Sequence, residues 1–187
     1  MGLDTFFAEE DEAAKILRDH WVSIDDYIVN DDGSIDVIGN VKFSKTSSFL
    51  TEIPLIFNKV SGDFDCSNLN LKSLKNSPIE VGGTFDCTYN QLSTLEYLPK
   101  KAKGFIFDNT VKSIFTGGIN SNFEKVLMMF RTNDPKLIGL QKIITDNAIY
   151  LPTIFKYQNY YEVWNNDKSF NEQKFNELID DIKDGLE

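Results

Sequence analysis

Three carboxylates and two thiols are the residues whose spacing could do chemistry. Asp63, Asp65 and Asp86 fall on two stretches that nearly repeat each other, VSGDFDCSNLNLKSL from Val60 and VGGTFDCTYNQLSTL from Val81. If those stretches lie side by side, the three carboxylates come within reach of one another. Such a cluster can bind a cation or exchange a proton with a substrate. No histidine or cysteine joins them on that face, so a solvated acidic patch is the simpler reading. A hydrolase or metal enzyme built on Asp63, Asp65 and Asp86 therefore ranks last of three functional readings, and neither a cofactor nor a metal is expected.

Other candidates carry less. Cys66 and Cys87 occupy equivalent repeat positions, one strand apart at ~4.8 Å, close enough in Cα distance for a disulfide. In a cytoplasmic protein they are expected to be reduced and packed as small hydrophobes. His20 is the only histidine, which rules out a histidine-pair metal site. Gly117-Gly118 ahead of a helix opening at Ser121 could cradle a phosphate, but no lysine-containing P-loop accompanies it. Asn30, Asp32 and Gly33 resemble part of a calcium loop, yet its first and twelfth positions would be Ile28 and Gly39, which offer no side-chain oxygen. The aromatic tail, Tyr150 to Trp164, lacks the interleaved cations that track a nucleic-acid strand.

The elements that must position these residues follow from the repeat. Val60/Val81, Gly62/Gly83, Phe64/Phe85, Cys66/Cys87, Leu71/Leu92, Leu74/Leu95 and Pro78/Pro99 pair at an offset of 21. A fixed period in the low twenties is the signature of a stacked repeat. Val41-Lys42-Phe43 reads as a degenerate earlier strand, and Gly104 to Asn109 as a fourth. The expected fold is α+β: a short parallel β-stack of about four coils over 27–118, an N-terminal helical cap over 1–26 and a C-terminal helical subdomain over 119–187. Asp4 or Thr5 caps the first helix, which runs to about Trp21. Tyr27–Asn30 and Ile35–Ile38 form a hairpin about Asp31-Asp32-Gly33-Ser34. Ser121-Asn122-Phe123-Glu124 reads as a capping box opening a helix to about Arg131. Further helices are expected over 135–146, over 155–164 and on the apolar stripe Phe175, Leu178, Ile179, Ile182, Leu186.

Strand alternation places Phe64, Phe85, Ile106 and the cysteines inside. The opposite face then carries Asn40, Asp63, Thr84 and Phe105 in one column and Lys42, Asp65, Asp86 and Phe107 in the next. Asp63, Asp65, Thr84, Asp86, Phe105 and Phe107 are thus the candidate partner-binding residues. The two phenylalanines are either anchors for a partner or are covered by the C-terminal helices.

Phe85-x-Cys87-x-x-Asn90-x-Leu92, with Leu95 and Pro99 behind it, resembles the leucine-rich-repeat consensus in its short bacterial form. In the preceding coil Leu69 stands at the asparagine position, between Asn68 and Asn70. The GSIDV hairpin, the VxGxFxC strands and the L-x-x-L-x-x-x-P limbs are similar to small leucine-rich-repeat-like proteins encoded by tailed bacteriophages. That resemblance covers about residues 27–116 and implies a phage protein acting on its host.

Bulk properties set the remaining limits. The chain has 187 residues, is 41% apolar and carries a net charge of −10. Residues 1–40 hold 11 acidic and 2 basic side chains, a net −9. No basic stripe for phosphate contacts is written, so direct nucleic-acid binding is not expected. No apolar run approaches the ~18 residues that span a bilayer, and the acidic N-terminus is unlike a signal peptide, so a cytoplasmic protein is expected. The leading reading is a non-enzymatic module that binds and modulates a host protein, in takeover or counter-defence, through its repeat face. The alternative is an acidic DNA mimic, in which Glu9, Glu10, Asp11 and Glu12 occupy a host enzyme's nucleic-acid site.

Overall fold

The computed structural model describes residues 11–130 and 139–187. Helix α1 spans Glu12–Asp19, and its N-cap Asp11 accepts a hydrogen bond from the Ala13 N–H at 2.8 Å. The start expected at Asp4 or Thr5 lies outside the described residues. Ala13 and Leu17 bury the apolar stripe, whereas Trp21 leaves it, exposed and past the helix end.

Strands β1 (Val22–Val29) and β2 (Ile35–Phe43) form the expected antiparallel hairpin, longer than its sequence cues. Asp32 Oδ1 accepts from the Ser34 N–H at 3.0 Å and Gly33 takes φ +80, which closes the turn.

From β2 onward the chain winds as a parallel β-solenoid of about five turns. The two halves of β2 pair with β3 (Phe57–Val60) and β4 (Phe64–Asp65). These pair in turn with β5 (Glu80–Val81) and β6 (Thr84–Asp86). Both then pair with the single long strand β7 (Lys101–Asp108). Strand β8 (Asn122–Met129) adds a further parallel rung on β7. Each early coil bends at a glycine corner. The Gly62 N–H donates to Gly39 O at 2.7 Å, and the Gly83 N–H to Gly62 O at 2.9 Å.

Two expectations need correction here. The capping-box reading of Ser121–Glu124 fails, because this segment is strand: Ser121 is fully buried, and its N–H donates to Phe155 O at 3.1 Å. Pairing along the whole of β7 outweighs the weak helical preference of Glu124, Lys125, Leu127 and Met128. The sheet therefore runs to Met129, past the 118/119 boundary, and begins at Val22, before the 26/27 boundary.

The core is an aromatic column along the stack. Phe64 and Phe85 stack at 5.4 Å with planes 7° apart, and Phe85 meets Phe105 at 6.1 Å. Beyond β8 lie α2 (Leu140–Asp146), α3 (Leu151–Tyr157) and α4 (Glu172–Lys183). Phe155 of α3 packs edge-on against Phe105 at 5.5 Å and Phe123 at 5.6 Å. Phe175, Leu178 and Ile179 bury the expected stripe of α4.

Candidate interaction face

The outward side of the sheet is defined by the observed register. Lys42 pairs with Asp65, Asp65 with Asp86, Asp86 with Ile106, and Ile106 with Leu127. This column begins ionic and ends apolar. Beside it run Asn40, Asp63, Thr84, Gly104 and Lys125, joined by hydrogen bonds in the early coils and by strand pairing in the later ones.

The three carboxylates, expected as a solvated acidic patch rather than a reactive cluster, are each engaged locally. Asp63 Oδ1 accepts from the Thr84 N–H at 2.7 Å, and Asn40 Oδ1 from the Asp63 N–H at 2.8 Å. Asp65 accepts from the Ser67 N–H at 3.0 Å and hydroxyl at 2.6 Å. Asp86 does the same with Thr88, at 2.9 and 2.8 Å. Each Asp-x-Ser/Thr therefore turns the chain off its strand, an Asx turn repeated once per coil. Lys42 Nζ lies 3.9 Å from Asp65 in a loose, exposed pair. Burial holds the Asp86 carboxyl above its ordinary range, only partly offset by the Thr88 bonds. Among the described residues no group of three or more His, Cys, Asp or Glu is arranged to hold a metal.

Phe105 and Phe107 do not lie on this face. Both are about 1% exposed and belong to the core. The third coil is one residue shorter than the second: Phe64 pairs with Phe85, but Phe85 pairs with Phe105. Extending the period of 21 unchanged puts Phe105 opposite Thr84 and turns the fourth strand inside out. Ile106 is consequently outside, not inside. The apolar end of the outward face is formed instead by Ile106 and Leu127, with Leu127 54% and Ile149 81% exposed. These residues line a groove of about 530 Å³ together with Thr84, Gly104, Lys125 and Pro152. Leu127 stands 21 residues after Ile106, but the unbroken period that puts Ile106 inside would put Leu127 there too, so its outward place is not legible from spacing.

The remaining candidates separate. Glu9 and Glu10 of the acidic face lie outside the described residues. Asp11 caps α1 and also accepts from the Tyr27 hydroxyl at 2.7 Å, while Glu12 is exposed in the first turn. Cys66 and Cys87 are buried free thiols whose Sγ atoms face Asp86 O and Ile106 O, and burial pushes both thiols well up. Gly117-Gly118 precedes a strand, so no helix N-terminus faces it to hold a phosphate. Trp164 donates to the buried Gln158 Oε1 at 2.6 Å, and its ring meets Phe115 and Phe170.

No protein-family model, curated protein or solved structure matches the chain. Among the described residues no helix is long and apolar enough to cross a membrane.

Proposed function

We propose that the protein is a non-enzymatic binding module whose outward sheet face docks a partner protein. The observation that carries this reading is the column Lys42, Asp65, Asp86, Ile106, Leu127, ionic at one end and apolar at the other, on a hydrogen-bonded sheet. A rigid platform of this kind loses little ordering entropy on association. Exposed Leu127 and Ile149 beside the groove provide the apolar centre, and the Asp turns provide a polar rim. In this reading the coils are leucine-rich-repeat-like, with α1 and α3 closing the two ends of the stack. The resemblance to small phage-encoded proteins would make the partner a bacterial host protein.

The acidic-mimic alternative draws on Glu9, Glu10, Asp11 and Glu12. Asp11 already serves as N-cap and as acceptor for Tyr27, which leaves it less able to imitate a phosphate row.

The deciding experiment is an affinity pull-down from nuclease-treated bacterial lysate, read by mass spectrometry, with wild type beside Ile106→Asp/Leu127→Asp. A partner held by wild type and lost by the folded variant supports the sheet face. A partner that the variant retains moves the contact elsewhere.

A further inference from the structure

The groove beside Leu127 carries a recess and a projection on one patch. In the outward column Asn40, Asp63, Thr84, Gly104, Lys125, only Gly104 has no side chain, which leaves a gap between Thr84 and Lys125. A Cβ there would stand 2.9 Å from Thr84 Oγ1, so the gap opens on the same side as the threonine. Ile149 lines the same groove and is the reverse feature, a branched apolar side chain 81% exposed. Leu127, Met129 and Phe130 continue the exposed apolar surface along and just past β8. Apolar surface gathered in this way marks an interface.

The charges say with what. Those lining the groove are one anion and one cation, Glu124 and Lys125, adjacent in the chain. Both are exposed, and among the described residues neither is held in an ion pair. The groove is therefore neutral in a chain whose net charge is −10. Acid is densest at the other end of the stack, where residues 11–40, in α1, β1 and most of β2, hold 8 acidic and 2 basic side chains. A patch that holds its own recess, projection, anion and cation is complementary to itself, which is what two-fold pairing requires. Pairing at the β8 end also keeps the two acidic ends apart.

We infer that the chain forms a two-fold dimer through this patch. Ile149 of each copy enters the groove of the other beside Gly104 and meets Leu127, while Glu124 of each faces Lys125 of the other. The inference rests on the reading of the outward face as a contact surface, and names a second copy as the occupant of its apolar end. Lys42, Asp65 and Asp86 of both copies stay open to a further partner.

The test is sedimentation velocity of the full chain at concentrations up to about 100 µM. Wild type should approach twice the monomer mass. Ile149→Asp should weaken association about thirtyfold with an unchanged melting temperature, since that side chain is 81% exposed. Glu124→Lys and Lys125→Glu, each alone, set like charges against each other across the axis and should also weaken it. Glu124→Lys/Lys125→Glu combined restores opposite charges and should recover the wild-type dimer. A monomeric wild type, assemblies larger than a dimer, an Ile149→Asp chain that dimerises as well as wild type, or a double variant no better than the single ones would each overturn the inference. A monomeric wild type would leave the partner reading standing, because the pull-down detects a different protein. A pull-down without a partner would likewise leave the dimer standing.

Discussion

The Asn90 side chain ties its own coil to the one before it by donating to Cys66 O at 2.9 Å. The same amide donates to Cys87 O at 3.0 Å, and its Oδ1 accepts from the Leu71 N–H at 3.1 Å. All of this happens at 3% exposure, where an unpaired carbonyl has no water to turn to. Asn90→Ala should lose about 2–4 kcal/mol of unfolding free energy, since it leaves buried groups on two coils without partners. Asn90→Leu should do no better, although Leu69 fills the equivalent place one coil earlier. Urea denaturation of both variants checks this.

A pair of neighbouring substitutions tests the register. Phe107→Asp buries a charge in the aromatic column and should prevent folding, a cost of at least about 4 kcal/mol. Ile106→Asp, one residue away on the half-exposed outward side, should fold with a normal circular dichroism spectrum. If Phe107→Asp folded and Ile106→Asp did not, the fourth strand would be inside out.

That register also marks where the sequence stopped being legible. The second and third coils are readable because glycine, phenylalanine and cysteine all recur at one offset, and buried Val41 and Phe43 precede them on the adjoining strand. In the fourth coil two phenylalanines and an isoleucine alternate, so every register offers an apolar inside. Only the shortened third coil selects Phe105 and Phe107, and that shortening has no local cue. The fifth coil was hidden because Asn122–Met129 is built from residues at home in a helix. What holds it as strand is β7, a tertiary partner that residue propensity does not contain. The Asx turns at Asp65 and Asp86 are written plainly as Asp-x-Ser/Thr, a spacing whose product is a turn and not a reactive site.

Close approach and backbone strain can be separated at two glycines. A Cβ on Gly82 would stand 2.1 Å from Ser61 O, a backbone atom of the adjacent coil that cannot swing aside. A Cβ on Gly118 would meet nothing within 4 Å, leaving only its φ of +81 against it. Gly82→Ala should therefore cost about 2–3 kcal/mol through displaced coils, and Gly118→Ala about 1 kcal/mol through the left-handed backbone alone. Thermal melts should rank Gly82→Ala clearly below Gly118→Ala.

Asp86 gives the stack a pH dependence with a definite sign. Burial raises its folded-state pKa, and Asp65 and Asp108 add like-charge repulsion. A carboxyl raised on folding costs stability while both states are ionised. That cost is relieved as pH falls through the folded pKa, and is fully gone below the ordinary aspartate value. Asp86→Asn keeps an oxygen for the Thr88 N–H and hydroxyl but carries no charge to desolvate. The variant should therefore melt higher than wild type at pH 7. The gap should close as the buffer is taken down through the raised folded pKa towards the normal carboxylate range. Asp65→Asn, at the same position one coil earlier, is the control measured beside it. A gap for Asp86→Asn that widened on acidification would mean that Asp86 is stabilised as a carboxylate, and that its bonds to Thr88 outweigh its burial.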